Sequence, residues 1–161
     1  MGAATDVGRV PTVTAARIGP IHHVAVVVRS IDESLPRYRV LFGLEPDAEP
    51  RVFTSQRVRL AFLSTGPAPA ARIELVEPID DESGVARYLA AHGEGVHHVC
   101  FTTDDLPATL DALAAREAEL IDREPRAGAH GTVAFVHPRT LNGVLWELLE
   151  GAPRGADVER A

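Results

Sequence analysis

Apolar positions in this chain gather in short runs of two periods, and the order of the runs repeats. His23–Val28 is β-branched and aliphatic and reads as a strand. Behind it, Ser30-Ile31-Asp32-Glu33 has the spacing of a capping box, with a Ser and, three residues on, a Glu. A helix is therefore predicted to about Phe42, stopped by Gly43, with Pro36 inside it. Two strands follow at Arg57–Ser64 and Ala71–Glu77, joined by the loop Thr65–Ala70 with its Gly66, Pro67 and Pro69. Then the order starts again. Val96–Thr102 is a strand, and Asp104 or Asp105 can cap a helix from about Leu106 to Glu117, with Pro107 near its start. Thr132–His137 and Gly143–Glu150 are paired strands about the loop Pro138–Asn142. One short helix, about Gly84–Ala91, separates the copies and is stopped by Gly93 and Gly95.

The repetition reaches single side chains. Ile21-His22-His23-Val24 returns as Val96-His97-His98-Val99, and Glu74-Leu75-Val76-Glu77 returns as Glu147-Leu148-Leu149-Glu150. Each half thus carries one strand with a His and one with a Glu. Two halves of the order strand, helix, strands, curled around one cavity, make an α+β pseudo-twofold barrel. The predicted organisation is an arm at 1–19, one domain at 20–150 and a tail at 151–161. Within the domain, module one spans 20–79, the linker helix lies in 80–94, and module two spans 95–150. Which sheet edges meet is open at this level.

Strand parity assigns faces. If His23 faces the cavity, Ala25 and Val27 do too, while His22 and Val24 face away. In the second copy His98 and Cys100 face in, and His97 and Val99 face out. Glu74 faces in beside Arg72 and Val76, and Glu147 beside Leu145 and Leu149. Trp146 takes the opposite face, as packing under a helix. Two imidazoles and two carboxylates suit a divalent ion such as Co²⁺, Ni²⁺, Zn²⁺, Fe²⁺ or Mn²⁺. Four ligands on an ion that takes six leave two positions for substrate oxygens, which is a Lewis-acid site for an enolate. A lone strand His or Glu is more often packing or edge. The same types at matching positions in both halves favour a site.

Composition narrows the field. The 161 residues fit one domain or two small fused modules. The net charge of −7 argues against nucleic acid as a partner. No apolar run is long enough for a bilayer span, so no membrane is expected. Cys100 is the single cysteine, which excludes an intrachain disulfide and suggests a reducing, cytoplasmic setting. All 16 basic residues are arginine, so lysine chemistry is excluded and guanidinium is the only fixed cation for anionic groups.

Gly93–Val99, Asp122–Gly131 and Phe135–Pro138 together resemble the methylmalonyl-CoA epimerases of the vicinal oxygen chelate superfamily, to which glyoxalase I also belongs. Ile21–Val24, Glu74–Pro78 and Gly143–Leu148 extend the likeness over roughly residues 20–150. The resemblance implies two tandem βαβββ modules forming a cupped barrel, the glyoxalase-like fold, as a homodimer. It implies a metal held by His23, Glu74, His98 and Glu147, cobalt first among the candidates. Some epimerases have Gln where this chain has Glu74. The implied reaction interconverts (2R)- and (2S)-methylmalonyl-CoA by removing the C2 proton through a metal-stabilised enolate. Glu147 would serve one face. Some members place a Glu where this chain has Leu60, which cannot move a proton, so Glu74 or a metal-bound water is left for the other face. Arg126, Gly128, Ala129, His130 and Gly131 are the implied substrate-binding segment, read either as a cover over the cavity or as a plain turn. Arg57, Arg59, Arg126 and Arg139 are candidates for the CoA phosphates by position. Two alternatives remain: a glyoxalase I-like or secondary-metabolism isomerase or cyclase on the same scaffold, and a metal-free binding or resistance protein, which needs no ligand set.

Overall fold

Ser30 acts as its spacing predicts. Its Oγ accepts the backbone N–H of Glu33 and starts α1, Ile31–Phe42, which Gly43 closes in the left-handed conformation. Pro36 is accommodated within this helix. The computed structural model describes residues 18–151. Most of the predicted arm and tail lies outside the described residues, although Ile18 and Gly19 already belong to the first strand.

That strand is β1, Ile18–Val27, followed by α1 and by β2, Arg51–Phe53, β3, Val58–Ser64, and β4, Arg72–Pro78. Helix α2, Gly84–His92, leads to the second copy. There β5, Gly95–Thr103, precedes α3, Leu106–Ala114, and β6, Arg126–Gly128, β7, Gly131–Val136, and β8, Leu145–Glu150, complete the order. Each half is βαβββ. All eight strands form one sheet in the order β2-β3-β4-β1-β5-β8-β7-β6. The edges that meet are β1 and β5, antiparallel, and each has a parallel neighbour on its outer side, β4 and β8 respectively. The sheet therefore has the internal twofold that the repeat implied.

Two departures have local causes. The end strands β2 and β6 are three residues each, too short to leave an alternation in the sequence, and they finish the sheet as minimal edges. Helix α3 stops at Ala114 rather than Glu117. Ala118 N–H donates to Leu113 O and Glu117 N–H to Ala114 O, with Glu117 itself left-handed at φ 61°. This is a Schellman closure without the glycine that would have announced it.

The faces of the sheet divide the labour. One face packs on helices: Ile31 of α1 on Ala61, Leu63 and Leu75, and Leu106 and Leu110 of α3 on Ala134, Val136 and Leu148. Trp146 joins the α3 cluster and stacks on Phe101. The other face carries Ala25, Val27, Val58, Leu60 and Val76 around a cavity, with Val85, Tyr88 and Leu89 of α2 against them. Among the described residues no helix is long and apolar enough to cross a membrane.

Candidate functional site

The twofold seam builds the site. Ala25 of β1 lies between His98 of β5 and Glu74 of β4, and Cys100 of β5 lies between His23 of β1 and Glu147 of β8. A small residue at the centre of each trio leaves room for the larger side chains to converge. His23 Nε2 is 3.2 Å from His98 Nε2, 3.1 Å from Glu147 Oε2 and 3.4 Å from Glu74 Oε2. His98 Nε2 is 2.8 Å from Glu147 Oε2 and 3.7 Å from Glu74 Oε2. All four side chains are buried.

These donors fit a divalent ion. Ligand distances of about 2.1 Å place adjacent donors about 3.0 Å apart in an octahedron and about 3.4 Å apart in a tetrahedron. The separations of 2.8–3.7 Å bracket both. His23, His98 and Glu147 form the tight trio, and Glu74 approaches from the outer side of β1.

The two carboxylates differ in proton affinity. Burial, then the charge of Glu147, raises Glu74 from the ordinary carboxylate range to about 8 in the metal-free protein. Glu147 is also buried, but hydrogen bonds from His23 and His98 outweigh desolvation and hold it well below the usual range. Burial lowers His23 and brings His22, His97 and His130 down to about 4 each. Burial pushes the Cys100 thiol far up, so Cys100 is a neutral filler beneath the site, packed with Val133 and Leu149.

The cavity over this face holds about 310 Å³. Val58, Leu60 and Val76 form an apolar wall opposite Phe135 and Leu149. The segment 126–131 is the β6–β7 hairpin, and its tip lies at the cavity. Arg126, Ala129 and His130 line the space. Arg126 lies over the Phe135 ring at 5.0 Å and pairs with Asp122. The His130 ring meets Phe62 edge-on at 4.3 Å, and its Nε2 is 3.9 Å from Glu74 Oε1. Gly128 and Gly131 shape the turn. A Cβ at Gly128 would stand 2.8 Å from both Val133 methyls, and Gly131 has φ +140°.

Three of the four candidate CoA arginines are committed elsewhere. Arg57 pairs with Asp80 and Glu82, Arg59 with Asp32 and Glu77, and Arg139 with Glu119. Arg126 alone of the four lines the cavity.

Parity misplaced two residues. Alternation places His22 and His97 on the outer face, yet His22 Nδ1 is 2.8 Å from His23 Nδ1 and His97 Nδ1 is 2.9 Å from His98 Nδ1. The ladder between β1 and β5 is irregular at both places. The doubled His in both copies was the available signal; the irregularity was not.

The sequence profile of the glyoxalase/bleomycin resistance protein/dioxygenase superfamily matches residues 22–135. The chain is 32% identical over 151 residues to the mitochondrial methylmalonyl-CoA epimerase of Dictyostelium discoideum, covering 92% of this chain and 87% of that one. It is 34% identical to an ethylmalonyl-CoA/methylmalonyl-CoA epimerase of Cereibacter sphaeroides, covering 81% of this chain and 97% of the other. It superposes on a variant of Streptomyces coelicolor methylmalonyl-CoA epimerase in complex with 2-nitronate-propionyl-CoA with a TM-score of 0.74 and 33% identity, over 82% of this chain and 94% of that chain.

Proposed function

Since the chain belongs to the glyoxalase/bleomycin resistance protein/dioxygenase superfamily, we propose that it is a metal-dependent epimerase interconverting (2R)- and (2S)-methylmalonyl-CoA. One observation carries the reading: a His and a Glu from each half converge, buried, with donor separations suited to one divalent ion. His23, Glu74, His98 and Glu147 would hold that ion, cobalt first among Co²⁺, Ni²⁺, Mn²⁺, Zn²⁺ and Fe²⁺. When bound, it supplies the positive charge that makes a C2–H between a thioester and a carboxylate easier to ionise.

The chain's own groups do the rest. The Glu147 carboxylate accepts the C2 proton on one face. Glu74 serves the other face and takes over the work that Leu60 cannot do. In the reverse direction the roles exchange. Leu60, Val58 and Val76 exclude water beside the acyl group, and Arg126, Ala129 and His130 hold the substrate from the hairpin tip. The protein works as a cytoplasmic homodimer on an acyl-CoA substrate.

Incubation of the metal-loaded protein with methylmalonyl-CoA in D₂O tests this by mass spectrometry. One deuterium at C2, lost in His98→Ala, is the expected result. Absence of exchange with every candidate metal overturns it. In that case Leu60, an apolar residue where some relatives carry an acid, favours a glyoxalase-like or biosynthetic isomerase on the same scaffold.

A further inference from the structure

Between Ile21 and Val26 the β1–β5 ladder skips one residue on each strand. Ile21 faces Phe101 and His23 faces Cys100, so nothing stands opposite His22. Ala25 faces His98 and Val26 faces Val96, so nothing stands opposite His97. Each outer histidine is thus the extra residue of a β-bulge, the one device that turns a neighbouring side chain back toward the face it would otherwise leave.

The consequence is the same in both halves. The outer and inner rings meet Nδ1 to Nδ1 at 2.8 and 2.9 Å, with ring centroids 5.1 and 5.2 Å apart and interplanar angles of 74° and 76°. The inner rings present Nε2 to the carboxylates and to each other. A ligating imidazole must keep its Nε2 lone pair free and carry its proton on Nδ1, and whatever accepts that Nδ1–H fixes the tautomer. His22 and His97 are the groups at that position.

The halves differ in what lies behind the outer ring. Arg72 Nη2 is 2.7 Å from His22 Nε2. A guanidinium only donates, so His22 accepts at Nε2, carries its proton on Nδ1 and donates it to His23 Nδ1. His23 then keeps its own proton on Nε2, directed at Glu147 Oε2, and that tautomer cannot ligate. Behind His97 stands the Tyr88 ring, edge-on at 4.8 Å, and Tyr88 donates its hydroxyl proton to Val96 O. His98 Nε2 also meets Glu147 Oε2, at 2.8 Å, and gives up that proton when an ion binds there; nothing behind His97 then prevents it from accepting the Nδ1–H that His98 comes to carry. Arg72 is at the same time paired with Asp47 at 3.7 Å and lies over Phe62 at 4.4 Å.

Building on the metal centre proposed above, we infer that His22 and His97 are positioning residues for it. His97 accepts from His98 once an ion takes His98 Nε2, whereas the Arg72–His22 contact holds His23 in the non-ligating tautomer, so that Arg72 restrains metal loading.

Titration of the full chain with Co²⁺ against a competing chelator tests this, with the cobalt absorption bands reporting ligand number. His97→Ala is expected to weaken Co²⁺ binding about 10- to 100-fold, the usual effect of removing such a partner. His97→Gln, whose amide oxygen can accept from His98, is expected to recover most of it. His22→Ala should lose less, because it removes the restraint together with the support. Arg72→Met should bind Co²⁺ more tightly than wild type. Equal affinity in wild type and His97→Ala, each with an unchanged fold by circular dichroism, would overturn the role of His97. Unchanged or weaker binding in Arg72→Met would overturn the restraint even if the histidine variants do not fold. A wild-type chain that binds no Co²⁺ would overturn the metal centre, and this assignment with it.

Discussion

The two halves use the same strands to present the same two ligands, yet they hold a proton very differently. In the first half Glu74 is buried near another carboxylate, and in the metal-free protein its pKa rises to about 8. In the second, Glu147 is also buried but accepts from both His23 and His98, and it stays ionised. Duplication conserved position, and environment separated the roles. Exchange of a proton between opposite faces of a carbon requires one such group on each face.

The strongest way to break this comparison is to remove its ionised member. Glu147→Gln keeps the shape and loses the base, and kcat for C2 deuterium exchange should fall about 10²- to 10⁴-fold. A variant with near wild-type exchange would return the base to another group. Stripping the metal with a chelator should abolish exchange, and a divalent ion should restore it. The same reloading should raise the melting temperature, because saturation at about 100 times the dissociation constant stabilises the folded chain by about 2.7 kcal/mol.

Glu74 sharpens the comparison through pH. Its folded pKa is above its unfolded value of 4.5, so the folded metal-free chain binds more protons than the unfolded chain between about 4.5 and about 8. Its contribution to stability is fully present below pH 4.5 and is lost as pH rises through about 8. Melting of the metal-free protein across this window should show a decline that Glu74→Gln flattens. Metal binding should strengthen over the same range, since the ion must displace the Glu74 proton.

Smaller effects test the scaffold. Gly128→Ala would drive a methyl into Val133 and should destabilise the chain by about 1–3 kcal/mol, with a raised KM as the hairpin tip shifts. Ser30→Ala removes the cap of α1 on the helical side of the sheet, and should cost about 1 kcal/mol by denaturant melting while leaving kcat unchanged.

Much of this was legible before any coordinates. Periodicity and capping residues located α1, α2 and the long strands, because those signals are local: Ser30 and Gly43 act within a few residues of themselves. The duplicated His and Glu named the four converging groups, because a repeat carries tertiary information in one dimension. The short strands β2 and β6 stayed hidden, since pairing with β3 and β7, not propensity, makes them strands. The glycine-free closure of α3 at Glu117 likewise left no mark.

The sequence by itself determined the order strand, helix, strands, its duplication, and the donor types that each half contributes, all of which follow from spacing along one chain. Only the tertiary structure decided that β1 and β5 form the seam, that Arg57, Arg59 and Arg139 are held in surface ion pairs, and that His22 and His97 turn inward. The reason is common to all three. Register between strands far apart in the chain sets which groups meet, and a single unmatched residue in a ladder reverses the face that alternation alone would assign.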